Sequence, residues 1–238
     1  MKEKEIFYNP FRLISPTINL EVSRIQELYE TAPGEVTCLE EGLLIMTGKL
    51  IEMTQLLHKT LLVYDPEKLE ECERLAEEIH SEEKGLTGDL VCHPDTRGEV
   101  LRTVVLFPGR LERMGDLLES IITVARIKHR DGIVFSDKAL AELDQLFSLF
   151  VDMLRNFQDV LVTRNKTLLE YICIEGRKVT QVALDSNVAH EERLCEGICS
   201  PKASSLYLDI LDSIKNANHH LMQMAENLLK IAKTEEPH

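Results

Sequence analysis

Apolar residues recur along this chain at steps of three and four, and alternating segments of the kind that form half-buried strands are absent. Between residues 35 and 63, the positions Leu39, Leu43, Met46, Leu50, Met53 and Leu57 form one seam, which predicts a long amphipathic helix. Asp65-Pro66 breaks it and supplies a cap and a first-turn proline for a second helix. That helix is predicted to reach about residue 90, with Cys72, Ala76, Ile79 and Leu86 inward. His93-Pro94-Asp95 makes the next break. A third helix is predicted over residues 96–128, with the seam Val104, Phe107, Leu111, Met114, Leu118, Ile121 and Ala125. Pro108-Gly109 lies inside that range and is expected to kink it. After residues 129–135, Ser136 caps a fourth helix with Leu143, Leu146, Phe150, Met153, Phe157 and Val160 inward. A fifth helix is predicted over 166–195, a break over 197–201, and a sixth helix over 202–233.

The six helices contain a repeat. A shift of 100 positions lays Leu43, Met46, Leu50, Met53 and Leu57 on Leu143, Leu146, Phe150, Met153 and Phe157. A shift of 103 lays Val104, Phe107, Leu111, Met114, Leu118 and Ile121 on Tyr207, Ile210, Ile214, Ala217, Leu221 and Met224. Any two heptad seams align in some register, so the weight rests on the similar shift at both ends of each half. The expected fold is all-α, two tandem antiparallel three-helix bundles over residues 34–130 and 131–238. Residues 1–33 stand outside the repeat as an N-terminal extension, with a short helix expected over 18–31 and an extended Tyr8-Asn-Pro-Phe.

Charge narrows the function. The 238 residues carry 27 Lys+Arg against 41 Asp+Glu, a formal net charge of −14. Such a surface repels a phosphate backbone and an anionic membrane face. No apolar run approaches the roughly 20 residues that span a bilayer, and the first 30 residues lack the blocks of a signal peptide. The expectation is a soluble, cytoplasmic protein that binds no nucleic acid and does not insert in a membrane. Long bundle faces offer apolar area for a homodimer. The six cysteines are scattered without a CxxC, which reads as free thiols in packed helices.

The candidate chemistry is a set of paired carboxylates. Glu112 and Asp116 are four apart on the third helix, where like charges repel unless a cation draws them together. Glu78 and Glu82 repeat the spacing on the second helix and flank the inward Ile79. Two such pairs on adjacent helices could supply four carboxylates to a divalent or trivalent metal, whereas the plain alternative is a solvated acidic face. His80 reads as a surface residue. No Gly-rich phosphate loop or nucleophile elbow occurs. A di-iron oxidase needs two Glu-x-x-His motifs, and Glu77-x-x-His80 stands alone, so no enzyme is expected.

At these residues the chain resembles the PhoU family, and looks closest to the PhoU-like domains attached to sodium/phosphate cotransporters. Pro94-Asp-Thr-Arg97 is similar to that family's DLR element, and Arg110-Leu-Glu-Arg-Met-Gly-Asp116 to its ERIGD signature. His190-Glu-Glu-Arg-Leu194, followed by Glu196-Gly197 and Cys199-Ser-Pro201, resembles the HxxRL stretch of the transporter-associated branch. Tyr207-Leu-Asp-Ile-Leu211 leads into the second-half counterpart of ERIGD, and the resemblance covers about residues 35–233. It implies a duplicated three-helix bundle that regulates phosphate transport or signalling by contact with a transporter or sensor-kinase protein. It also implies a multinuclear iron or zinc site on Glu112 and Asp116, and on Glu78 and Glu82. At the second signature the chain departs from the family: Lys215 stands in place of the Glu and His219 in place of the Asp. The metal is therefore expected on the first bundle only, with Asp185, His219 and His220 as weaker zinc candidates in the second. A metal-free helical module serving another transporter or signalling partner is the alternative.

Overall fold

The computed structural model describes residues 33–92 and 103–234. Among the described residues six long helices follow one another: α1 (Pro33–Leu62), α2 (Pro66–Cys92), α3 (Phe107–Arg130), α4 (Asp137–Thr163), α5 (Lys166–Cys195) and α6 (Pro201–Thr234). The expected short helix over 18–31 and the Pro94–Arg97 motif lie outside the described residues. Among the described residues no helix is long and apolar enough to cross a membrane.

Local chemistry sets the ends of these helices. Asp65 Oδ1 accepts from the backbone N–H groups of Glu67 (3.1 Å) and Lys68 (3.2 Å), capping α2 in front of Pro66. At the corresponding place in the second half, Asn165 Oδ1 accepts from Thr167 (2.9 Å) and Leu168 (3.2 Å) and caps α5. Ser136 caps α4 by accepting from Ala139 N–H. The expectation for Pro108 is corrected. α3 begins at Phe107 and holds Pro108 in its first turn, where the missing N–H has no intrahelical partner to lose. Residues 103–104 are helical and 105–106 form a turn, so the discontinuity falls beside the proline, as an interruption and restart and not as a bend within one helix.

All the seam residues named above are buried, apart from Ala76, which is half-buried against the core. The matching seam of α6, from Tyr207 to Met224, is buried as well. Helices α1, α2 and α3 contact one another pairwise, as do α4, α5 and α6. The two bundles then join through α1 against α4 and α3 against α6, so that one continuous core runs through both.

Equivalent helices thus meet their own repeats, antiparallel, and the contacts come in matched pairs. His58 Nε2 lies 3.1 Å from Asp144 Oδ1, and the same two positions with the halves exchanged are Gln158 and Leu44. Gln158 Nε2 donates to the Leu44 carbonyl at 3.4 Å. Across α3 and α6, the Ser120 and Ser213 hydroxyls are 2.9 Å apart. Their exchanged equivalents, Arg110 and Gln223, are also hydrogen-bonded. The two halves are therefore related by an approximate two-fold axis.

Candidate functional site

In the first bundle, Gly115 brings α3 close to α2. A Cβ on Gly115 would stand 3.4 Å from Ile79 Cγ2, an ordinary packing distance, so Ile79 rests directly against this turn of α3. One turn away, His80 Nδ1 meets Glu112 Oε1 at 2.8 Å. Farther along the same seam, Arg126 of α3 grips Glu73 of α2 with two hydrogen bonds of 2.5 and 2.8 Å. Burial and the neighbouring Glu112 charge raise the pKa of Asp116, against weaker opposition from His80 and Arg113.

Glu78 and Glu82 turn elsewhere. Lys49 of α1 sets its ammonium 3.3 Å from Glu78 Oε2 and 3.5 Å from Glu82 Oε1. Arg74 adds a 2.5 Å hydrogen bond to Glu78. The reason lies in helix geometry: residues two apart do not share a face. His80 is two positions from each glutamate, so when His80 looks toward α3 the glutamates cannot. The four carboxylates therefore form two pairs, one on α2 facing α1 and one on α3 beside His80 of α2. Among the described residues no three His, Cys, Asp or Glu side chains converge as a metal centre requires. This donor set does not fit the multinuclear cluster that the family resemblance implies.

The second-bundle candidates are also apart. Asp185 accepts from Gln181 on its own helix at 2.8 Å. His219 Nε2 lies 2.7 Å from Gln223 Nε2, whose side-chain oxygen accepts from Arg110. The amide nitrogen donates, so His219 Nε2 is the acceptor and its ring proton sits on Nδ1. Burial lowers the pKa of His220, and the nearby Arg110, His219 and Arg113 add to the effect. Lys215 pairs with Asp212, one turn earlier on α6.

Sequence reasoning missed a buried polar cluster at the other end of the second bundle. Arg193 of α5, only 6% exposed, donates to both oxygens of Glu142 on α4, at 2.9 and 2.6 Å. Tyr207 of α6 donates its hydroxyl to the same carboxylate at 2.5 Å. The His190 ring, 2% exposed, packs on Tyr207 with centroids 4.5 Å apart, and neither of its nitrogens has a hydrogen-bond partner. Burial works to raise the Glu142 pKa, but the hydrogen bonds from Arg193 and Tyr207 outweigh it and hold the group lowered. The same cluster ties down the α5–α6 turn: the Arg193 carbonyl accepts from Ile198 (2.9 Å) and Cys199 (3.4 Å) N–H groups. The available signal was the His190-x-x-Arg193 spacing, which puts both residues on one helix face beside the seam position Tyr207.

No protein-family model and no curated protein matches the chain. Solved structures do. The phosphate transport system regulatory protein PhoU from Streptococcus pneumoniae superposes with a TM-score of 0.72 at 17% identity, covering 86% of this chain and 98% of that one. PhoU from Pseudomonas aeruginosa superposes with a TM-score of 0.72 at 16% identity, covering 85% of this chain and 99% of that one. With so little identity over nearly whole chains, the likeness is one of architecture: this protein has the fold of PhoU proteins.

Proposed function

We propose that this protein regulates phosphate transport or phosphate signalling by contact with a transporter or sensor-kinase protein. The observation that carries this reading is the fold, shared along 86% of the chain with a PhoU described as a phosphate transport system regulatory protein. The motif resemblance over residues 110–116 and 190–201 points the same way. In this reading the protein works in the cytoplasm and catalyses no reaction. A contact surface is available on α5, where Ile174, Leu184 and Val188 are all exposed, and helical spacing puts them on one side.

The test is affinity capture of the tagged chain from its native host in high and in low phosphate, with phosphate uptake measured in a deletion strain. Recovery of a transporter or sensor-kinase protein, with a yield that changes with phosphate, is the expected result. Unchanged uptake and an unchanged starvation response on deletion would overturn the proposal.

A further inference from the structure

The Glu78 and Glu82 pair of the first bundle already has a cation of its own. Lys49 reaches across from α1 to bridge Glu78 and Glu82, and its side chain is 18% exposed. His80 reaches from α2 to Glu112. Two side chains thus join the three helices at the level where a metal would join them. For a polyvalent cation to use Glu78 and Glu82, it would have to displace an ammonium held within 3.5 Å of both, against the repulsion of like charges.

The second bundle answers the same problem differently. The repeat position of Lys49 there is Leu149, which packs on the core. No cation arrives from α4, and the signature has lost its carboxylates instead, with Lys215 and His219 at the repeat positions of Glu112 and Asp116. Lys215 pairs with Asp212 and His219 with Gln223. The two bundles therefore carry different side-chain pairings at equivalent places.

We infer that the Lys49 ammonium stands in this protein where a metal cluster would otherwise hold the helices, so that it folds and functions without a polyvalent metal. The inference is independent of the partner proposed above, because its readouts are metal content and thermal stability.

The experiment uses the full chain, purified without chelator, as wild type, Lys49→Met and Lys49→Arg. Metal content is measured by mass spectrometry, and melting is followed with EDTA and then with added Zn²⁺ or Fe²⁺. Wild type and Lys49→Arg are expected to carry well under one metal per chain and to melt at the same temperature with and without EDTA. Lys49→Met removes the ammonium shared by Glu78 and Glu82 and leaves Glu78 its Arg74 hydrogen bond. It is expected to melt lower in EDTA and to recover by roughly 5–10 °C when the metal is at about 100 times its Kd. A wild type that holds one or more metals per chain and melts lower in EDTA would overturn the inference, and that arm does not depend on any variant folding. A Lys49→Met protein that melts like wild type and gains nothing from metal would equally overturn the role given to Lys49.

Discussion

Arg193 and Glu142 form a two-pronged ion pair inside the second bundle, at 2.9 and 2.6 Å, with side chains only 8% and 15% exposed. The pair joins the end of α5 to the start of α4. Removing one partner strands the other charge. Arg193→Met is therefore expected to cost about 3–5 kcal/mol of unfolding free energy, and the double variant with Glu142→Leu less than the single one. Urea unfolding of both proteins checks this. A double variant less stable than Arg193→Met would contradict it.

The same cluster sets a pH dependence. Burial, and secondarily the Arg193 charge, lower the His190 pKa from its ordinary 6.5, with Glu142 and Glu191 opposing. The folded state then binds fewer protons than the unfolded state. The stability from neutral His190 is complete above about pH 6.5 and is lost as pH falls through the folded pKa. Glu142, held below its ordinary 4.5, acts in the same direction at lower pH. His220 is also lowered, so wild type alone does not isolate His190. Between pH 7.5 and 5.5 the urea midpoint of His190→Leu is expected to fall less than that of wild type. Parallel falls would remove His190 from the account.

Two glycines are expected to respond unequally to alanine. A Cβ on Gly176 of α5 would stand 2.5 Å from Met222 Cγ, where α6 comes closest. The Asn218 amide donates to the Gly176 carbonyl at 2.8 Å across the same contact. Gly176→Ala should cost about 1–3 kcal/mol, because the buried contact must open. At Gly115 the nearest atom would be at 3.4 Å, so Gly115→Ala should lie within about 1 kcal/mol of wild type, helped by alanine's helix propensity. Thermal melts of the pair provide the comparison.

Helix capping is expected to be measurable at Asn165. Its side chain accepts from two otherwise unpaired N–H groups of α5, and Asn165→Ala should cost about 0.5–2 kcal/mol. Asn165→Asp keeps the acceptor and should restore most of that loss.

Thiol reactivity should divide by position. Burial pushes the Cys72 thiol up to about 12, and acidic neighbours including Glu71 add to it, while its Sγ–H points at the Met53 carbonyl. Cys195 is exposed at the end of α5. In native protein at pH 8, site-resolved alkylation should modify Cys195 readily and Cys72 only on unfolding. Equal labelling of the two would show that the α1–α2 contact opens in solution.

The one-dimensional pattern determined the helices and their repetition. A helix buries one side at a period of 3.6 residues, so Leu43 to Leu57 and Leu143 to Phe157 reveal both an inward face and an equivalence. The capping residues Asp65 and Ser136 carry their own start signals and cap as their chemistry directs, and the structure adds Asn165 as a third cap. Pro108 marked a discontinuity without saying whether the helix bends there or stops and restarts.

Only the tertiary structure decided which charges meet. The four-residue spacing of Glu78 and Glu82 shows that they share a face, but not that the face looks to Lys49 and away from Glu112. That depends on how α2 is rotated between two neighbours, which in turn depends on where Ile79 can settle beside Gly115. The meeting of Glu142, Arg193 and Tyr207 from three helices was likewise beyond a local reading. Such contacts depend on the crossing of distant helices, and periodicity carries no information about crossing beyond each helix's own buried side.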